Sequence, residues 1–212
     1  MSHFTVLVTG DDVEAAMAPF YEELEVERHI SQSRAELIAY ERKRMENTRD
    51  TNWAEYLANP AKYIAECRNP RHIEYFTGGE FEAKLTWTDE QFHAEAIRFT
   101  DPADLDEDGN EWSTSNPQSK WDWWTVGGRW DGGLRTKDGR EVNECLRSEL
   151  HFEHTHPTFA VLVDGQWIER GSMGWWAMVS DEKAPEEWHP QWLKIVAALP
   201  DETRFTLVDA HI

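Results

Sequence analysis

Hydrophobic and polar positions alternate from the first residues of the chain. In His3-Phe4-Thr5-Val6-Leu7-Val8-Thr9, Phe4, Val6 and Val8 share one face while Thr5 and Leu7 share the other. Both faces are largely apolar, which predicts a strand inside a sheet, closed by Gly10-Asp11-Asp12. The period then changes from two to that of a helix. Ser33-Arg34-Ala35-Glu36 is a capping box that opens a helix to about Glu46, with Leu37, Ile38, Tyr40 and Met45 as its apolar stripe. Trp53, Tyr56, Leu57, Ile64 and Cys67 repeat at helical spacing, and Asn59-Pro60 predicts a second helix start among them. Thr88-Asp89-Glu90-Gln91 is another capping box, ahead of Phe92, Ala96 and Phe99.

The second half of the chain reads as strands. Lys137-Asp138-Gly139-Arg140 and Val163-Asp164-Gly165-Gln166 each carry the Asp-Gly pair of a two-residue hairpin. Thr158–Val163 and Trp167–Glu169 flank the second pair, and a further strand is expected from about Gly174 to Ser180. Pro190 at a helix start, then Trp192, Ile195, Val196 and Leu199, predicts a helix; Phe205–Val208 is the last expected strand. This order predicts an α+β fold with an antiparallel sheet. A ferredoxin-like core would carry a helical insertion over roughly residues 31–100, all within one domain spanning 1–212. The terminal strands would then be neighbours.

No stretch approaches the ~18 consecutive apolar residues of a membrane helix, and the first residues lack a basic segment ahead of an apolar one. A cytoplasmic protein is the expectation. Cys67 and Cys145 lie far apart without metal-ligand spacing, as in a reduced chain. The net charge of −20 disfavours direct contact with nucleic-acid phosphates. It leaves room for a local basic pocket, or for an acidic face that binds a basic protein surface.

Tryptophan changes the picture. There are twelve, and most fall in two groups: Trp112, Trp121, Trp123, Trp124 and Trp130, then Trp167, Trp175, Trp176, Trp188 and Trp192. On a strand Trp121 and Trp123 would share a face and Trp124 would point away. Gly127-Gly128 would let a ligand approach the backbone, and Arg129 beside Trp130 pairs an anion-holding guanidinium with a stacking surface. Gly171-Ser172-Met173-Gly174-Trp175-Trp176 repeats the pattern of glycines before adjacent indoles. A ligand site built from Trp121, Trp123, Trp124, Gly127, Gly128, Arg129, Trp130, Trp175 and Trp176 is one reading. A large aromatic core with a glycine bulge is the other.

Two further constellations are weaker. His151, His154 and His156 form the only histidine cluster, and with His3, Asp209 or His211 could complete a metal set, although no zinc spacing is present. Asp104, Asp106, Asp108 and Gly109 match the opening of a calcium loop, but Ser115 stands where the bidentate glutamate belongs, so a solvated turn is expected. No cofactor is implied, and no GxSxG, phosphate loop or GxGxxG appears.

Taken together, several segments resemble an accessory protein family of tailed bacteriophages and prophages. They are the opening strand from His3, Asp106-Glu107-Asp108-Gly109-Asn110, Asn116-Pro117 to Trp124, Gly127-Gly128-Arg129-Trp130, Gly174-Trp175-Trp176 and Val208-Asp209-Ala210-His211-Ile212. The resemblance implies expression inside an infected bacterium, in the host cytoplasm, and specifies no activity. With it, the Trp/Arg/Gly elements point to a binding protein acting against host defence by capturing a small nucleotide-like ligand. An acidic inhibitor of a host protein, mimicking DNA, is the alternative; a metal-dependent enzyme using His151, His154 and His156 is a third.

Overall fold

A computed structural model describes residues 3–173 and 179–212. Where the sequence reads as one domain with an insertion, the chain divides into two compact units. One comprises residues 1–26 and 115–212, the other 27–114. The first unit opens with β1 (His3–Thr9) and α1 (Val13–Met17). The second contains β2 (His29–Gln32), α2 (Arg34–Thr48), α3 (Ala54–Ala58), α4 (Pro60–Glu66), α5 (Pro70–Thr77), α6 (Glu80–Lys84), α7 (Asp89–Ala96) and β3 (Glu111–Ser113). The first unit resumes with β4 (Trp123–Val126), β5 (Leu134–Arg135), β6 (Glu141–Val142), β7 (Glu144–Leu146), β8 (Ala160–Val163) and β9 (Gln166–Glu169). It ends with β10 (Ser172–Met173), β11 (Val179–Ser180), α8 (Pro185–Ala197) and β12 (Arg204–His211). The class is α+β.

The main sheet has the order β4-β12-β1-β8-β9, and β7 pairs with β12 beyond the end of β4. The terminal strands β1 and β12 are antiparallel neighbours over their whole length, from His3↔His211 to Thr9↔Phe205. This is not a ferredoxin-like core. There the parallel strands of each split β-α-β unit are separated by another strand, whereas β1 and β8 are parallel and adjacent, with Val6 opposite Ala160. The sheet is therefore mixed.

Both faces of β1 are buried, as its sequence requires. On one, Phe4, Val6 and Val8 join Ala160, Leu162, Val208 and Ala210 under Met17, Phe20 and Trp121. On the other, Leu7, Val161, Phe205 and Leu207 pack against Trp188, Trp192 and Val196 of α8. The two helix indoles keep their polar edges satisfied. Trp188 Nε1 donates to Thr158 O at 2.8 Å and Trp192 Nε1 to Thr158 Oγ1 at 3.0 Å. That anchoring accounts for Pro190 lying inside α8, which begins at Pro185 instead.

The hairpin at Asp164-Gly165 forms as expected, with both residues at positive φ. The other Asp-Gly pair does not make a two-residue turn. β5 and β6 pair as Leu134↔Val142 and Arg135↔Glu141, leaving residues 136–140 as a longer loop. Asp138 spends its carboxylate there on Thr136 Oγ1 and Arg140 Nε, so only Gly139 adopts positive φ. The last strand runs past Val208 to His211, which carries Asp209 and His211 into the sheet.

In the second unit both capping boxes form, at Ser33 with Glu36 and at Thr88 with Gln91. Its core gathers Met45, Trp53, Phe76, Phe81 and Phe92. Tyr40, Leu57, Ile64 and Phe99, expected on apolar stripes, are exposed. The acidic loop is a turn closed by one carboxylate. Asp106 accepts from the N–H groups of Asp108 and Asn110, from Asn110 Nδ2 and from Trp112 Nε1. Those donors, led by the Trp112 indole, hold its carboxyl down at about 2.

No helix among the described residues is long and apolar enough to cross a membrane.

Candidate functional site

The site grows from the alternation of side chains across three paired strands of the first unit. β4 lies against β12 with Trp123 opposite His211 and Thr125 opposite Asp209, and β12 lies against β1 with His211 opposite His3. Paired positions point to the same face. Trp123, His211 and His3 therefore form a row across the sheet, with Asp209 one step along it.

Trp123 stacks on His211 with ring centres 5.3 Å apart and planes 15° from parallel. The His3 ring meets both edge-on at 5.1 Å. Each histidine is held by a carboxylate: His3 Nδ1 lies 2.8 Å from Asp209 Oδ1, and His211 Nδ1 lies 2.6 Å from Asp122 Oδ1. Asp209 is almost wholly buried, and its second oxygen accepts the Arg129 backbone N–H at 2.9 Å. His211 Nε2 is also buried and has no hydrogen-bond partner among the described residues.

The glycine pair makes this arrangement possible. Gly127 and Gly128 have φ of +71° and +55°, turning the chain so that the Arg129 N–H faces the carboxylate. A Cβ at Gly128 would lie 2.4 Å from Asp209 Oδ2, so any side chain there would collide with the group it cradles.

Beyond the turn, Trp130 borders two hollows. The larger, about 710 Å³, is also lined by Arg135, Lys137, Glu141, His151, His154 and His156. The smaller, about 290 Å³, is bordered by His3, Thr5, Phe159, Arg170 and Trp188. A ligand-sized cleft with aromatic walls and a few convergent polar groups is the usual form of a small-molecule site. In the larger hollow Arg135 and Lys137 offset Asp131 and Glu141, so its walls are formally neutral before the imidazoles are counted, on a chain of net charge −20. Arg135 pairs with Glu141, and Lys137 Nζ donates to Ser148 O.

The residues singled out in the sequence separate into distinct groups. Trp121 belongs to the core: it is 9% exposed and its indole N–H donates to Met17 O at 3.0 Å. Trp124 packs edge-on to Trp121 in the same cluster. The expectation that Trp121 and Trp123 share a face fails because β4 starts only at Trp123. Trp121 instead bridges to Tyr21, and Asp122 breaks the alternation between them. Gly127 and Gly128 shape the Asp209 cradle and line neither of these two hollows. Arg129 contributes its backbone to that cradle, while its exposed guanidinium pairs with no described residue. Trp130 is the indole of this segment that borders both hollows, at 36% exposure. Trp175 and Trp176 lie outside the described residues, as does most of the strand expected from Gly174.

His151, His154 and His156 line the larger hollow, with the first two rings edge to face at 4.2 Å. His3, Asp209 and His211 come together, but with Asp122 and Trp123 as neighbours. Among the described residues no three His, Cys, Asp or Glu side chains are placed to share a metal ion. Cys145 is buried, and burial pushes its thiol up to about 11, which removes it as a nucleophile.

Sequence reasoning missed Asp122 and saw His3, Asp209 and His211 only as accessories to a metal. Their signal was present as polar residues at alternate positions of otherwise apolar terminal strands. No family model matches this chain, and neither does any curated protein or solved structure.

Proposed function

We propose that the first unit binds a small nucleotide-like ligand, with its base on Trp130 and its phosphate in the larger hollow beside Arg135, Lys137 and the histidines. The observation that carries this reading is the position of Trp130. Its indole is left partly exposed at a rim shared by two hollows, and Arg135 and Lys137 line the larger of them. Stacking of a base on an aromatic ring is worth about 1–3 kcal/mol, and a guanidinium adds planar, bidentate recognition of phosphate. Neutral walls on a strongly acidic chain lower the repulsion an anion meets on entry. In the setting implied by the resemblance to phage accessory proteins, the ligand is a nucleotide signal of host defence, captured in the host cytoplasm.

Calorimetry against mono-, di- and cyclic nucleotides tests this. At least one should bind, and Trp130→Ala and Arg135→Ala should each weaken it about tenfold or more, as loss of one stack or one charge-assisted contact requires. Binding by none of them, or unchanged affinity in both variants, would overturn the reading.

A further inference from the structure

We infer that His3 and Asp209 form a general acid–base pair that hydrolyses a phosphodiester presented from the Trp130 rim, so that the bound nucleotide is a substrate. This rests on the nucleotide reading and adds chemistry to it: in a ligand with two phosphates, one lies in the larger hollow beside Arg135 and Lys137, and the other, the phosphodiester attacked, reaches past Trp130 into the smaller hollow.

Asp209 is 1% exposed, and both its oxygens accept, one from His3 and one from the Arg129 N–H. A carboxylate used this way has no hydrogen to give, so His3 Nδ1 carries the hydrogen of their 2.8 Å contact. On that tautomer the lone pair is on Nε2, which bonds to no described residue, and His3, its side chain 8% exposed, is among the residues that border the smaller hollow. A fold that needed only stability would gain as much from two apolar side chains in place of a buried polar pair. Here the chain instead adopts positive φ at two successive glycines to fit the carboxylate and aim an N–H at it. Such an arrangement orients an imidazole.

Arg170 borders the same hollow. Its Nε donates to Lys183 O at 3.1 Å and lies 3.2 Å from Glu182 Oε1, which fixes the guanidinium plane. The Nη groups are left to meet phosphoryl oxygens, where negative charge grows in the transition state.

The step uses water alone as co-reactant. His3 Nε2 accepts a proton from water as the water oxygen bonds to phosphorus. The bond from phosphorus to the leaving oxygen breaks and its electron pair departs with that oxygen, which then takes the proton from the His3 imidazolium. A phosphomonoester and an alcohol result. Asp209 stabilises the imidazolium between the two transfers.

The experiment incubates the protein with cyclic dinucleotides, separates products by anion-exchange chromatography and measures affinity by calorimetry. Wild type should release phosphomonoesters. His3→Gln should lose about 10²- to 10⁴-fold in kcat, the range for removal of a general base, with nucleotide affinity retained. Added imidazole should restore part of the turnover in His3→Gly, which a purely structural role for His3 would not allow. Nucleotide binding without product, or turnover unaffected by His3→Gln, overturns the inference and leaves the binding reading intact. Binding of no nucleotide removes both.

Discussion

His3 and Asp209 stand at opposite ends of the chain, 206 positions apart, and meet at 2.8 Å across the antiparallel pair β1–β12. The contact exists only once the terminal strands have paired. Asp209→Ala would leave the Arg129 N–H and the His3 ring without their acceptor in a buried place. Loss of one partner from a buried hydrogen-bonded group costs on the order of 2–3 kcal/mol. Urea unfolding of the variant should show a lower midpoint with an unchanged slope.

Gly128 should tolerate no side chain. At φ +55° even alanine is strained by about 1–2 kcal/mol, and its Cβ would press on Asp209 Oδ2. Gly128→Ala should therefore lower Tm and, because the turn carries Trp130, weaken nucleotide binding as well. Gly165 is a useful contrast. It also has positive φ but nothing lies within 4 Å of its Cβ position and it borders neither hollow, so Gly165→Ala should show the strain alone and keep its affinity.

Trp121 and Trp130 are nine residues apart in one tryptophan-rich segment and should respond in opposite ways. Trp121→Ala empties a core site and should cost about 3–5 kcal/mol in stability. Trp130→Ala removes a partly exposed ring and should leave the unfolding midpoint nearly unchanged while weakening ligand binding. Thermal unfolding and calorimetry on the same two variants read both effects.

Asp106 predicts an acid response in the second unit. Its carboxyl is held at about 2 in the folded chain by the Trp112 indole and the Asn110 donors, below the ordinary value of 3.8. A lowered folded value means the contribution is fully present above the unfolded value and is lost as pH falls from about 4 through about 2. Comparing Asp106→Asn with wild type, the stability gap should be constant near neutrality and close over that window. A gap that persists unchanged to pH 2 would show that the carboxylate's charge plays no part.

Local features were legible in the sequence because they depend on neighbours along the chain. The capping boxes at Ser33 and Thr88 and the Asp164-Gly165 hairpin each rest on donors, acceptors and dihedral freedom within a few residues. The apolar faces of β1 were legible for the same reason, since a strand buried on both sides has no polar face to show. Pro190 misled because a lone proline marks a helix start only where packing does not carry the helix past it, and Trp188 and Trp192 do so here.

By itself the sequence determined the α+β class, the interior place of β1 and the presence of a glycine turn beside Arg129 and Trp130. These follow from side-chain period and backbone freedom, which act over one turn or one strand. Tertiary structure alone decided that β8 lies parallel to β1, that Trp121 is core while Trp130 borders the hollows, and that Asp209 meets His3. Each of those depends on which distant strands share hydrogen bonds and in what register. A shift of one residue in that register would have turned every one of these side chains to the opposite face.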